Sequence, residues 1–234
     1  MNKQRFLKVQ LPWGIMAFFA IGIAIAAIAP YASFNSDNFN NATSRFAGEA
    51  PLRVVALYVH MFAGGTALVI GPFQFIGKLR ARRPVLHRWM GRTYLIAVML
   101  SSLSAFIIAP GMISGLVGEF GLILLGMLWL WTGWNAYRNI RAGNKEIHRE
   151  WMTRNYALTF AAVTLRFWLG TLIGTQIPLL DSKYGGDFDA LFVEVYRVVM
   201  WMAWVPNLIV AEMIVQRGRT AQLSTGNDQV AIQA

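Results

Sequence analysis

Six long apolar runs constrain this chain more than any other feature of its sequence. A helix needs about 20 mostly apolar residues to cross a bilayer, where its backbone must satisfy its own hydrogen bonds. Only 14% of the 234 residues are charged, against about 25% in a soluble domain. The sequence therefore predicts an all-α integral membrane protein with six transmembrane helices in an up-down bundle. The predicted spans are 13–30, 54–76, 90–109, 120–134, 152–176 and 192–215.

The apolar region is predicted to form one six-helix domain, residues 1–216, followed by a disordered cytoplasmic tail over 217–234. That tail is polar and contains scattered small residues, a composition that buries little apolar surface. The first span follows a basic segment and contains an Ala-Ile-Ala step at 27–29, as a cleavable signal peptide would. Its apolar stretch is long for such a peptide, so we expect a retained helix, with cleavage as the alternative.

The basic residues alternate between the two sides of the predicted membrane. The N-terminus, the loops 77–92 and 138–154 and the C-terminal tail hold 16 of the 21 Lys and Arg residues. By the positive-inside rule these segments are cytoplasmic, and so are both termini. The net charge of +10 therefore indicates topology. A nucleic-acid partner is not expected, because such a protein carries its basic residues on a soluble fold; the lipid bilayer is the expected partner.

The two cytoplasmic loops carry nearly the same sequence, "LRARRPVLHRWMGRTY" at 79–94 and "IRAGNKEIHREWMTRNY" at 140–156. His87 aligns with His148, and Tyr94 aligns with Tyr156 after a one-residue insertion. The offset between the histidines is long enough for two crossings. This predicts an internal repeat of two helical hairpins, about 54–109 and 116–176, related by an axis along the membrane normal.

Small residues in the spans predict close packing between helices. The candidates are Ala63, Ala67 and Gly71 in the second span and Gly170 and Gly174 in the fifth.

Ionisable residues inside a membrane span are costly, so each is a candidate functional residue. His60 shares a helix face with the small residues of the second span, and Arg166 reaches a similar depth in the fifth. Glu194 and Arg197 begin the sixth span near that level. We expect these four residues to form an outer polar cluster in which Glu194 pairs with Arg166. The alternatives are an interhelical hydrogen bond for His60 and snorkelling of Arg166 to the surface.

The repeated histidines define a second candidate site, the inner mouth, which is the end of the bundle that carries His87 and His148. Neutral imidazole ligates iron and other metals, and arginine pairs with the carboxylates of haem propionates or with phosphate. The alternative is that the loops anchor to phospholipid headgroups. The possible metal ligands are the two histidines, and the cofactor-binding candidates are His87, His148, Arg88, Arg92, Arg149 and Arg154.

No other catalytic motif is present in the sequence. It contains no P-loop, dinucleotide fingerprint, G-x-S-x-G or H-E-x-x-H pattern. It also contains no cysteine, which excludes disulfides, thiolate chemistry and covalent C-x-x-C-H haem attachment.

Several of these segments together resemble one known family. They are the His60-x3-Gly64 pair, "GPFQF", Arg80, "HRWMGRTY" and "HREWMTRNYALTFAAVTLRFW". Over about residues 53–168 the chain resembles DUF2306, an uncharacterised family of predicted bacterial membrane proteins. The resemblance implies a bacterial inner-membrane protein and brings no established activity. The layout also looks like four-helix b-type cytochromes, by architectural analogy alone, and departs from them in lacking two histidine pairs at matching depths.

Three functions are open at this point, and whether the protein is an enzyme is open too. The first is a membrane redox protein that binds b-type haem at the inner mouth or handles a quinone. The second is a transporter or proton-linked carrier, lined by the face from His60 to Gln74 and the face from Asn155 to Arg166. The third is a non-catalytic membrane partner or assembly protein whose histidines and arginines are structural.

The distribution of basic residues predicts the result of a topology experiment. Reporter fusions after Gly143 and after Gly186 should give cytoplasmic and periplasmic signals respectively, because the first position follows a basic loop and the second does not. The same signal from both fusions would contradict the predicted topology.

Overall fold

Six helical segments are long and apolar enough to cross a membrane, within the part of the chain that the structure describes. The structure is a computed structural model that describes the backbone of residues 3–35, 37, 39 and 42–233, and the side chains of those between 13 and 220. The predicted fold class is confirmed. The spans are Trp13–Tyr31, Pro51–Gln74, Pro84–Ile108, Gly115–Arg141, Lys145–Tyr184 and Phe188–Thr220.

The helices follow one another in an up-down order, and several spans divide into shorter helices. The helices are α1 (Lys3–Ile28), α2 (Pro51–Gln74), α3 (Gly77–Arg82), α4 (Pro84–Ile108), α5 (Gly115–Arg141), α6 (Lys145–Thr159), α7 (Ala161–Gln176), α8 (Leu180–Tyr184), α9 (Phe188–Met202) and α10 (Val205–Gln233).

The packing connects neighbouring helices. α2 packs against α1 and α4, α5 packs against α4 and α6, and α7 packs against α9. The internal repeat of two hairpins stays a prediction.

The fourth span was predicted too short, because α5 extends beyond 120–134 at both ends. Its last turns contain two asparagines, which lower the hydropathy. Asn135 Nδ2 donates to the carbonyl of Trp131 at 2.7 Å, and Asn139 Nδ2 donates to the carbonyl of Asn135 at 2.8 Å. Both amides bond within their own helix, so they do not end it.

The fifth and sixth spans are each interrupted inside the membrane. α9 and α10 meet just before Pro206, which has no N–H to donate to the preceding turn. Asn207 Nδ2 donates to the carbonyls of Ala157 at 3.2 Å and Ala203 at 3.0 Å. Thr164 Oγ1 donates to the Ala203 carbonyl at 2.5 Å. These side chains donate hydrogen bonds to carbonyls beside both interruptions. Irregular backbone is tolerated at membrane depth only where its polar groups have such partners.

A buried polar network joins α4, α5 and α6. The Tyr94 hydroxyl donates to Asn155 Oδ1 at 2.7 Å and lies 2.6 Å from Thr159 Oγ1. Asn155 Nδ2 donates to the Trp129 carbonyl and to Thr132 Oγ1, both at 2.8 Å, and Trp129 Nε1 donates to Thr159 Oγ1 at 2.9 Å. Asn155 is fully buried. The network fixes the relative rotation of three helices, because polar groups without water need partners of defined geometry.

The small-residue prediction is confirmed for α2 and wrong for α7. A Cβ atom at Gly71 would lie 2.0 Å from Cε2 of Tyr156, so only glycine permits this approach of α2 to α6. A Cβ atom at Gly170 or Gly174 would meet nothing within 4 Å. Spacing in the sequence does not reveal which face of a helix meets a neighbour.

The C-terminal segment differs from the predicted disordered tail, since α10 continues as helix to Gln233. Each residue added to an existing helix gains a backbone hydrogen bond, whereas starting a new helix is unfavourable. A polar segment can therefore continue a helix that begins in a membrane span. Arg219 Nε also donates to Glu150 Oε1 of α6 at 2.7 Å. This ion pair holds the beginning of the segment against the bundle.

The two kinds of glycine environment predict opposite responses to alanine. Gly71→Ala should lower the unfolding free energy by about 1–3 kcal/mol, the usual cost of overpacking, because the buried Tyr156 ring blocks the added methyl. Gly170→Ala is the matched control and should be neutral or stabilising, since alanine favours helix over glycine by about 0.5–1 kcal/mol. Thermal and denaturant unfolding in detergent micelles measure both. An equal loss in the two variants would contradict the packing described.

Candidate functional site

A cavity of about 500 Å³ lies inside the bundle. Helices α1, α2, α4, α5, α6, α7 and α9 all contribute to its wall, together with residues 42–46 of the connection between α1 and α2. The wall is mostly apolar, and its members include Leu57, Met61, Leu122, Leu125, Leu165 and Phe192. A mostly apolar cavity of this size with a few polar groups is the usual form of a small-molecule site.

Residues 42–46 of the connection between α1 and α2 form part of the cavity wall. Phe46 is buried against the wall, and the guanidinium of Arg45 lies 4.5 Å from the centre of its ring. Arg45 Nη2 donates to the Pro110 carbonyl at 3.2 Å, and Arg53 donates to the same carbonyl. Partial burial, and then the charge of Arg53, lower the pKa of the Arg45 guanidinium. Arg45 thus fastens the connection, and Arg53 the start of α2, to the residue Pro110 that follows α4.

His60 lines the cavity in one defined tautomer. Its Nδ1 lies 2.9 Å from the Ser101 carbonyl, which only accepts hydrogen bonds, so Nδ1 carries the proton and donates. The Ser101 hydroxyl in turn donates to the His60 carbonyl at 3.1 Å. Nε2 is left as an acceptor with no hydrogen-bond partner among the described residues. Where histidine ligates metals or accepts protons, one ring nitrogen commonly donates to a carbonyl, and this hydrogen bond orients the other nitrogen.

Arg166 lines the same cavity without a carboxylate partner. Its Nη1 donates to the Ala162 carbonyl one turn earlier at 2.7 Å. Within the part of the chain whose side chains are described, its electrostatic neighbours are the hydroxyls of Tyr196 and Tyr31. Tyr196 is nine-tenths buried, and its hydroxyl forms no hydrogen bond with the described residues. Arg166 and Tyr196 therefore bring a charge and a hydroxyl together at one region of the cavity wall.

Glu194 and Arg197 lie outside the cavity, so the structure does not assemble the outer polar cluster as predicted. Glu194 Oε1 accepts from Lys183 Nζ at 2.8 Å, and the expected pairing with Arg166 is not made. Arg197 Nε donates to the Ser114 carbonyl at 3.2 Å. Glu194 precedes Tyr196 by two residues, about 200° around the helix. The face of α9 that points into the bundle therefore carries the tyrosine, and the glutamate points away.

The inner mouth brings its two histidines into one neighbourhood. His87 lies within electrostatic range of His148, Arg80 and Arg88, and Arg80 also reaches His148. His148 Nδ1 donates to the Ala136 carbonyl at 2.8 Å. His87 Nδ1 is buried and has no partner in the described part of the chain. Arg80, carried by the short α3, belongs to this site although the sequence placed it outside the cofactor-binding candidates.

Three of the inner-mouth arginines have contacts within the protein. Arg154 Nε donates to Glu212 Oε2 of α10 at 2.7 Å, and Arg149 Nη1 donates to Glu146 Oε1 at 2.6 Å. The guanidinium of Arg92 lies 5.2 Å from the centre of the Trp89 ring. The Arg154 pair was missed because its members lie 58 residues apart. Among the described residues no group of three or more His, Cys, Asp or Glu could hold a metal ion.

Ser101 and Tyr196 are site residues that the sequence did not predict. A signal for the first was present, because Ser101, Ser102 and Ser104 place three hydroxyls in the middle of an apolar span. Tyr196 gave none, since a tyrosine near the end of a span is ordinarily an interfacial residue.

Comparison with protein families gives a match over most of the chain. Residues 57–215 match the family described as "Predicted membrane protein (DUF2306)", a region that contains the cavity residues of α2 to α9 and the whole inner mouth. Comparison with curated proteins and with solved structures finds no match. Since the match extends over more than half of the sequence, this chain belongs to the DUF2306 family of predicted membrane proteins.

Proposed function

We propose that the protein binds a lipophilic small molecule in the cavity inside its membrane domain. One observation carries the proposal: a mostly apolar cavity is lined by three side chains with polar groups that lack partners among the described residues, namely His60, Arg166 and Tyr196. Ionisable and polar groups at membrane depth ordinarily have partners. A ligand that covers the apolar wall can also bond to these three groups.

A quinone is one member of this class of ligand. Its ring would lie on the apolar wall, a carbonyl would accept from Arg166 or Tyr196, and the hydroxyl of the reduced form would donate to His60 Nε2. The quinone-handling and the transport hypotheses both require a cavity of this kind. A non-catalytic assembly protein has no need of one, so the cavity favours the first two hypotheses.

We also propose that the membrane is the bacterial inner membrane and that both termini are cytoplasmic. The resemblance to DUF2306 implies the bacterial inner membrane, and the concentration of 16 of the 21 Lys and Arg residues on one side supports the position of the termini. An even number of crossings agrees with termini on the same side. The six candidate spans give that even number.

Blocking the cavity tests ligand binding directly. Ala162 lines the cavity, whereas Gly170, eight residues later on the same helix, faces open space. Ala162→Phe should weaken binding by about 10-fold or more, the equivalent of an overpacking cost of 1–3 kcal/mol, and Gly170→Phe should not change it. Three probes are titrated into purified protein, a short-chain benzoquinone, dodecanol and dodecanoate, and native mass spectrometry measures occupancy.

The proposal is contradicted if Ala162→Phe weakens the binding of none of the three probes. It is also contradicted if none of the probes binds the wild type. Equal weakening by Gly170→Phe would also contradict it, because that substitution leaves the cavity open. Thermal unfolding of each variant establishes that the fold is retained.

A second candidate function is b-type haem binding at the inner mouth, favoured by the proximity of His87 and His148. His87 and His148 would then hold the haem iron through their imidazole nitrogens. We expect a Soret band in the reduced-minus-oxidised spectrum of wild type and its loss in both His87→Ala and His148→Ala. Wild type produced with ample haem and still lacking the band would eliminate this candidate and leave headgroup anchoring as the role of the inner mouth.

A further inference from the structure

We infer that the ligand of the cavity is a single-chain amphiphile with a carboxylate head, seated on Arg166 and Tyr196, and a hydrocarbon tail along the apolar wall. The inference rests on the proposed function and names its ligand class. It concerns the charge of the ligand, which neither the quinone hypothesis nor the transport hypothesis specifies.

The charge of Arg166 carries the inference. A guanidinium stays protonated at any physiological pH, and an unpaired charge inside a membrane protein ordinarily finds a counter-charge. Arg166 lines the cavity in the middle of a span, and the one hydrogen bond that it donates to the described residues goes to a neutral carbonyl. A neutral ligand would accept hydrogen bonds from it and leave the charge uncompensated. An anion satisfies both requirements.

The acidic side chains of the protein do not supply this counter-charge within the described structure. Those that form ion pairs do so with other cations, and Glu119 accepts from the backbone N–H of Gly111. Asp187 accepts from two N–H groups at the start of α9. The pairs are Glu49 with Arg53, Glu146 with Arg149, Glu150 and Glu212 with Arg154, Glu150 with Arg219, and Glu194 with Lys183.

The donor geometry at this position favours a carboxylate. Nη1 of Arg166 is shared with the Ala162 carbonyl, which leaves the remaining N–H groups of the planar fork free to bond a carboxylate bidentately. The nearby Tyr196 hydroxyl has no partner among the described residues and can donate to the same head. Together they offer one anion at least three donors in an otherwise apolar wall.

The size and lining of the cavity favour one hydrocarbon chain. A volume of about 500 Å³ lies within the range of sites for single small ligands, so a phospholipid with two chains is too large. The wall beyond Arg166 includes the flexible side chains of Met61, Met112 and Met200. Methionine adapts its shape to the surface it contacts, which suits a ligand that is itself flexible.

The test compares two probes with the same tail and different heads. Dodecanoate carries the anion and dodecanol does not, and both are titrated into protein held in phosphatidylcholine nanodiscs. Arg166→Gln should weaken the binding of dodecanoate by about 10-fold or more, as expected for a lost charge-assisted hydrogen bond. The same substitution should change the affinity for dodecanol by less than about 2-fold. Arg166→Lys keeps the charge and should recover part of the affinity. Arg197→Gln removes an exposed arginine outside the cavity and should change neither probe.

A second readout needs no variant. Dodecanoate labelled with ¹³C at the carboxyl carbon reports its own ionisation, and a neighbouring cation favours the charged form. The bound carboxyl should therefore titrate at lower pH in wild-type nanodiscs than in nanodiscs without protein. This measurement remains decisive if the Arg166 variants do not fold.

The possible failures are distinguishable. If dodecanol binds as tightly as dodecanoate and both depend on the open cavity, or if the bound carboxyl titrates as it does in plain lipid, the carboxylate inference is overturned while cavity binding stands. If Ala162→Phe weakens the binding of neither dodecanoate nor dodecanol, the carboxylate inference and the proposed cavity binding are both overturned. Dodecanoate that binds equally to wild type and to a folded Arg166→Gln variant overturns the inference alone.

Discussion

The hydrogen bond from Tyr94 to Asn155 is the interaction on which the rest of the structure depends. It joins α4 to α6 at a fully buried site, and Asn155 extends the connection to α5 through Trp129 and Thr132. Apolar packing alone orients membrane helices weakly, because lipid chains are as apolar as the side chains they would replace. A network in which each member has a defined partner selects one rotation of each helix. That rotation determines which side chains line the cavity.

The polar groups of the membrane domain include two sets with different consequences. One set bonds within the protein, as Asn207 and Thr164 do beside the interruptions in the fifth and sixth spans. The other set, at the cavity wall, retains free capacity: Nε2 of His60, the guanidinium of Arg166 and the hydroxyl of Tyr196. Trp129 and Thr159 belong to the network and also line the cavity. The rigid scaffold therefore continues directly into the site that binds the proposed ligand.

Part of the candidate site could be predicted from the sequence. His60 and Arg166 could be predicted because ionisable residues in an apolar span are conspicuous, and their depths follow from the rise of a helix. Glu194 was chosen as a partner by depth alone, and depth does not determine direction around the helix. Tyr196, two residues later, points inward instead. At the inner mouth the repeat indicated both histidines, whereas Arg80 joined them only through the fold of α3 across that end.

The sequence by itself determined the fold class, the number of crossings and the positions of most spans. The physical reason is that hydropathy and helical hydrogen bonding are local properties, readable in a window of about 20 residues. The tertiary structure alone decided that Gly71 meets Tyr156 while Gly170 meets nothing, that Glu194 pairs with Lys183, and that Arg166 remains without a carboxylate. Each of these depends on the rotation of a helix about its axis, and contacts between residues far apart in the chain fix that rotation.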